Sequence, residues 1–304
     1  MLRMFRRLSL LALLPLSLLT TSAALAAPVG VVTIQAGPAL LMRDNDKLAC
    51  TEGVALQADD IIELPGNAQL LRMEFSDGAS LLLAPGSRVL LSPKTTGDRS
   101  GARAYLLAGW AKVTTPAGVN FKLLSATADL QGTNARVVIG LTPGMTQVFA
   151  ENGEWQWVRA AATATKLKSG DFGTLKSGGK AVEIGGRPTP EFIKALPRAF
   201  MDALPSRYAL FQGKTVPPKN LGLITYDDAQ AWIDAEPTLR RAEVQRWREL
   251  AQDSAFRQSL IVDLNKHPEW EPILFPGSAA VRAAAPKPAT SASAPSPASK
   301  PQAH

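Results

Sequence analysis

Between residues 28 and 186, apolar residues fall into short runs rich in Val, Ile, Leu, Phe and Trp. Turn-forming pairs interrupt them every eight to fourteen residues, among them Gly37-Pro38, Pro65-Gly66, Asp77-Gly78, Pro85-Gly86, Pro143-Gly144 and Asn152-Gly153. Short apolar runs at regular spacing predict an all-β roll or sandwich. Within "MEFSDGASLLLAPGSRVLL" (73–91), Asp77 and Gly78 turn the chain, since Gly accepts positive φ and Asp caps its own turn. Leu81, Leu82 and Leu83 form an unbroken run, which predicts a strand covered on both faces. Pro85-Gly86 then ends it. Asp60 and Gly132 are read as turn residues too. Pro143-Gly144 suits a type II turn, and Asn152-Gly153 a two-residue type I′ hairpin, so 135–160 reads as a three-stranded meander.

After "GGRPTP" the period changes from two to helical spacing. Thr225, with Asp228 three residues on, caps a helix whose inner face carries Ala229, Trp232 and Ile233. Pro237 opens a second helix, expected over 237–250, with Leu239, Val244 and Trp247 inward. Asp253 or Ser254 caps a third, where Phe256, Leu260 and Leu264 recur every fourth residue until His267-Pro268. The fold expected is α+β by segregated domains: an all-β domain at 28–186, then a small helical bundle at 188–276, docked through "EWEPILFP". The mixed charges of Arg240, Arg241, Glu243, Arg246, Arg248 and Glu249 read as the wet side of a helix.

One succession of motifs narrows the β region. "VVTIQAGPALLMR" leads to "LACTEGVALQADDIIEL", in which Gly53, Leu56 and Asp60-Ile61-Ile62 fit G-x-x-L-x-x-G-D-x-I. "AQLLRMEFSDGASLLLAPGSRVLL", "AYLLAGWAKVTTP", Gly132-Thr133 before "NARVVI", and "QVFAENGEWQWV" follow in order. Together, over roughly residues 30–180, these resemble the FecR-type domain, a β-rich module of bacterial envelope proteins. Asp59 stands where the pattern often has Gly, and Glu63 where it has Thr. The cytoplasmic anti-sigma region and spanning helix of the signal-transducing members have no counterpart, so the resemblance implies the exported β module alone.

The ends set the compartment expected. Residues 1–26 combine Arg3, Arg6 and Arg7, an apolar stretch from Leu8 to Leu19, and Ala24-Leu25-Ala26, which is the pattern of a signal peptide cleaved after Ala26. Its apolar stretch is 12 residues, short of the roughly 20 a spanning helix needs. The mature chain is thus expected in the periplasm or otherwise exported, with no stable membrane span. Residues 279–304 are rich in Ala, Pro and Ser, with three cations and no acid, and read as a disordered tail.

Charge and chemistry alter the picture little. Losing the leader takes three arginines and no acid, lowering the net charge from +7 to +4. No dense basic run is interleaved with aromatics, so no nucleic-acid partner is expected. Cys50, the one cysteine, reads as a buried small hydrophobe. A single Cys and two His, one of them in the tail, make no zinc set. No nucleophile or phosphate-loop motif stands out, so neither catalysis nor a cofactor is expected. The binding candidates are Trp155 and Trp157, two apart on one strand and hence on one face. Exposed, they would stack on sugar rings; buried, they are core. The function expected is a non-enzymatic periplasmic module binding an envelope protein or glycan. The alternative is a structural protein associated with peptidoglycan.

Overall fold

A computed structural model describes residues 27–159, 163–214 and 216–276. The predicted leader and tail lie outside these residues. Five short strands open the chain: β1 (Gly30–Ala36), β2 (Leu40–Arg43), β3 (Asp46–Ala49), β4 (Ala55–Leu56), β5 (Ile61–Glu63). Then come β6 (Leu70–Phe75), β7 (Ser80–Leu83), β8 (Arg88–Leu91), β9 (Ala104–Thr114) and β10 (Asn120–Leu124). A long pair, β11 (Asp129–Thr142) and β12 (Met145–Val158), precedes β13 (Thr165–Leu167), β14 (Phe172–Lys176) and β15 (Glu183–Gly185). Helix α1 (Pro190–Ala195) and strand β16 (Lys219–Leu223) lead to α2 (Tyr226–Ile233), α3 (Pro237–Arg246), α4 (Ser254–Val262) and α5 (Glu271–Leu274). The protein is therefore mostly β, with a small helical region behind it.

The main path of hydrogen-bonded strands runs β15-β14-β12-β11-β10-β9-β8-β5-β2-β3-β16, with β1, β4, β6 and β7 branching from β9. Three long strands bend and change neighbours. Gly109, at φ 85, marks the corner of β9: residues 104–108 pair with β8, and 111–114 with β7. In β11, residues 130–133 pair with β10 and 136–141 with β9, the change falling at Asn134-Ala135. Opposite it, β12 bulges at Asn152-Gly153. Bulges add local bend and twist, which lets one strand serve two sheets and wrap the roll around its core.

This corrects the three-stranded meander. Residues 135–158 belong to one two-stranded hairpin closed at Pro143-Gly144, where Gly144 has φ 82. Asn152-Gly153 is no hairpin turn: only Gly153 takes positive φ, at 74, and a Cβ there would meet Ala135 Cβ at 2.6 Å. Continuous pairing of 145–150 with 137–142 outweighs the local turn preference of that dipeptide. Gly132 is likewise no turn residue. It lies within β11 beneath its cross-strand partner Trp155, whose ring would stand 2.6 Å from an added Cβ. Gly140 under its cross-strand partner Trp110 repeats the arrangement, and Gly173 lies under Trp157 without pairing with it. The Asp77-Gly78 hairpin uses positive φ at Gly78 alone, with the Ala79 N–H donating to Asp77 Oδ1 at 3.1 Å. Gly86, at φ 77 after Pro85, completes a turn in which the Ser87 N–H donates to Ala84 O at 3.2 Å.

Leu81 and Leu83 face the main β core, which also encloses Cys50. Leu82 faces outward into a second cluster with Ala84, Val138 and Phe172, covered by Phe192 and Phe200. The chain between α1 and residue 211 thus straps the outer face of β6-β7-β9-β11. Arg72 Nη1 donates to the carbonyls of Leu204 and Pro205, both at 2.8 Å, and Glu74 accepts from the Ser206 hydroxyl and the Arg207 N–H.

The helical caps follow from their residues. Thr225 and Asp228 form a reciprocal capping box, and Asp253 accepts from the N–H groups of Ala255 and Phe256. Helix α3 stops at Arg246, short of residue 250. Trp232, Trp247, Trp270 and Leu274 share an apolar cluster with Met42, Ile61, Leu90 and Tyr105 of the β part. Polar ties to the β part run from α2 and α3, not through the expected "EWEPILFP" segment alone. Trp232 Nε1 donates to Glu63 at 2.8 Å, Lys47 meets Asp228 at 2.6 Å, and β16 pairs with β3.

Candidate functional site

Trp155 and Trp157 are both fully buried in the β core. Their indoles rest on Gly132 and Gly173, and Trp157 Nε1 donates to Thr127 O at 3.4 Å. This removes the stacking-platform reading: a sugar ring needs an open indole face, and both faces here are packed. Trp110 is half-buried against Phe192, with ring centroids 5.4 Å apart. The carboxylates considered for chemistry also have structural partners. Asp60, buried, receives a two-pronged Arg43 guanidinium at 2.8 and 2.7 Å and the Gln57 N–H at 2.8 Å. Asp77 receives Arg103 at 2.7 and 3.2 Å. Beneath this layer Cys50 is enclosed, and burial pushes its thiol up to about 12, which keeps it unreactive.

A sizeable concavity lies elsewhere, where α3 stands over the β part. It is a cleft of about 700 Å³ bounded by the 44–45 turn, the 57–60 turn, residues 93–95, Arg99, Tyr105 and the side of α3 that faces the β part. Asp44 and Asp59 turn the chain with positive φ of 52 and 66, conformations Asp tolerates better than most residues. Arg99 closes one end: it holds Glu236 at 2.7 Å, Asp129 at 3.0 Å and the Ser125 carbonyl at 2.8 Å. At the other, Trp247 Nε1 donates to Asp44 O at 3.2 Å and Arg246 Nη1 to Asp59 O at 2.6 Å. These contacts fix the separation of helix and sheet and hence the width of the cleft.

Glu243 sits in the wall, 1% exposed. Its Oε2 lies 2.9 Å from Arg246 Nε, yet neither carboxylate oxygen accepts a hydrogen bond. Burial pushes its carboxyl up to about 7; Asp59 adds to the rise, and Arg246 and Lys94 oppose it. Asn45 Oδ1 is a further buried acceptor without a donor. Burial and the neighbouring Glu236 carboxylate push the Tyr105 hydroxyl up as well, and burial raises Asp129.

Glu243 does not lie with the solvated charges of its helix, where the mixed-charge pattern groups it. The spacing held a contrary signal: it stands four residues after Leu239 and four before Trp247, on the stripe those two bury. His267 is buried, with Nδ1 3.1 Å from Asp234 and Nε2 3.3 Å from Leu260 O, so it ties helix ends together. Among the described residues no group of three or more His, Cys, Asp or Glu side chains could hold a metal ion, and no helix is long and apolar enough to cross a membrane.

No family model matches the chain. No curated protein matches it either. Among solved structures, two crystal structures of a candidate anti-sigma factor from Parabacteroides distasonis are similar, each with 13% identity and a TM-score of 0.36. Each match covers 42% of this chain and 59% of that one, so the chain spans less than two thirds of the protein it resembles.

Proposed function

We propose that this chain is a non-enzymatic binding module of the periplasm, whose partner is an envelope component or protein, and that the cleft beneath α3 is its recognition site. The observation that carries this reading is the cleft itself: about 700 Å³, held open by cross-links at both ends, with buried oxygens on Glu243 and Asn45 that accept no hydrogen bond, although Arg246 Nε stands 2.9 Å from one of the Glu243 pair. Buried polar groups are ordinarily hydrogen-bonded, and a wall that leaves them unmet is suited to a ligand that meets them. The leader-like residues 1–26 and the order of β motifs support the compartment and the kind of module.

The test uses the mature chain, residues 27–304, immobilised and challenged with envelope extract, beside Ala242→Trp. Ala242 is exposed on the cleft side of α3, so the indole fills the cleft without entering the core. The expected result is a retained component that the variant loses while its thermal melting is unchanged. Equal retention by both proteins would remove the cleft from the function.

A further inference from the structure

We propose that the cleft receives a ligand bearing a primary ammonium group, seated against Glu243 and Asn45 beneath the Asp44 and Glu249 carboxylates. The inference rests on the cleft being a recognition site and names the chemistry it selects. Most cations of the lining are already engaged. Arg43 is taken by Asp60, Lys94 by Asp59 at 2.6 Å, and Arg99 by Glu236 and Asp129. On the acidic side, Asp44 has no ion pair among the described residues, and Glu249 accepts only from Asn45 Nδ2, at 3.3 Å. Arg248 is the one lining cation without an ion pair among the described residues.

Unmet hydrogen-bonding capacity among the buried atoms points the same way. Asn45 Oδ1 and both oxygens of Glu243 accept no hydrogen bond. The two buried donors of the lining without a hydrogen bond, Arg99 Nε and the Tyr105 hydroxyl, have acids beside them: Asp129 lies 3.0 Å from the first, and Glu236 neighbours the second. A ligand completing this site therefore brings donors and positive charge. An ammonium offers three donors on a compact charge. On a chain of net positive charge, such a site is a local exception that admits a cation.

Proton linkage gives the site a signature. The groups facing Glu243 are Arg246 on its own helix, Asp59 in the turn before β5 and Lys94 in the segment after β8. Above about pH 7 Glu243 is ionised and attracts the ammonium, and below it the carboxyl takes a proton and the attraction falls. An alkyl ammonium, near pKa 10.4, stays charged throughout.

Calorimetric titration of the mature chain with 1,5-diaminopentane, 1,5-pentanediol and glutarate tests this. The diamine is expected to bind at pH 8 at least about tenfold more tightly than the diol or glutarate, and to weaken about tenfold by pH 5.5, a loss of about one factor of ten per 1.4 kcal/mol of attraction. Glu243→Gln should remove most of the pH dependence. Asp44→Asn and Glu249→Gln, both at exposed positions, should each weaken binding several-fold without touching the core. Preference for glutarate, equal binding of diol and diamine, or no binding of any probe would overturn the ammonium assignment. The broader reading survives these outcomes if Ala242→Trp still abolishes capture from envelope extract, and falls separately if it does not.

Discussion

Glu243 provides a test in which two electrostatic effects compete and the sign decides between them. A carboxyl near 4.5 in the unfolded chain rises to about 7 in the folded one. The native state then holds a proton that the unfolded state has lost between those values. Stability contributed by this group is therefore full below about pH 4.5 and declines as pH rises to about 7. At about 1.4 kcal/mol per pH unit, the rise amounts to about 3 kcal/mol. The opposing effect is attraction to Arg246 at 2.9 Å, which would make ionisation favourable if it exceeded the burial cost. Arg246 is shared with Asp59, and the carboxylate accepts no hydrogen bond, so burial dominates. Urea unfolding of the mature chain and Glu243→Gln between pH 4 and 8 reads the difference, which cancels the other titrating groups. The two proteins are expected to be equally stable near pH 4, with the variant ahead by up to about 3 kcal/mol at pH 8. A constant difference across that range, or a wild type that gains on the variant as pH rises, would refute the reasoning.

Other parts of the fold make separate predictions. Asp60→Asn strands the Arg43 guanidinium in a buried pair and should cost about 3 kcal/mol in urea unfolding, whereas a loss under about 1 kcal/mol would show the pair to be solvated. Gly132→Ala drives a methyl into Trp155 and should cost about 1–3 kcal/mol with a changed indole fluorescence; Gly144→Ala meets no atom within 4 Å, so its cost is confined to the positive φ, about 1 kcal/mol. The ordering of the two is what the measurement checks. Arg72→Leu releases the carbonyls of Leu204 and Pro205, so limited proteolysis should cut near 200–207 faster than in the parent; equal rates would mean that Phe192 and Phe200 hold the strap by themselves. If the chain instead associates with peptidoglycan, sedimentation with purified sacculi should depend on residues 279–304, because the two core tryptophans are enclosed.

What the sequence by itself determined is what local stereochemistry and pattern control. Period-two runs broken by Gly and Pro specify a β-rich region, the capping box at Thr225 and the Asp253 cap start their helices, and Pro143-Gly144 closes its hairpin, because each depends on neighbours a few residues away. The triple-leucine strand revealed that both its faces are covered, though not that Phe192 and Phe200 cover the second. Tertiary structure decided the rest. Asn152-Gly153 carries the local chemistry of a hairpin, but twelve residue pairs between β11 and β12 make it a bulge. The same two-residue spacing puts Trp155 and Trp157 on one face whether that face is wet or dry, and only the strands folded over it make it core. Glu243 acquires its character in the same way: the carboxyl is ordinary until the fold buries it, with Asp59 adding to the rise and Arg246 and Lys94 opposing it. Burial is a property of what packs from a distance, and a short window of sequence hints at it without saying what does the covering.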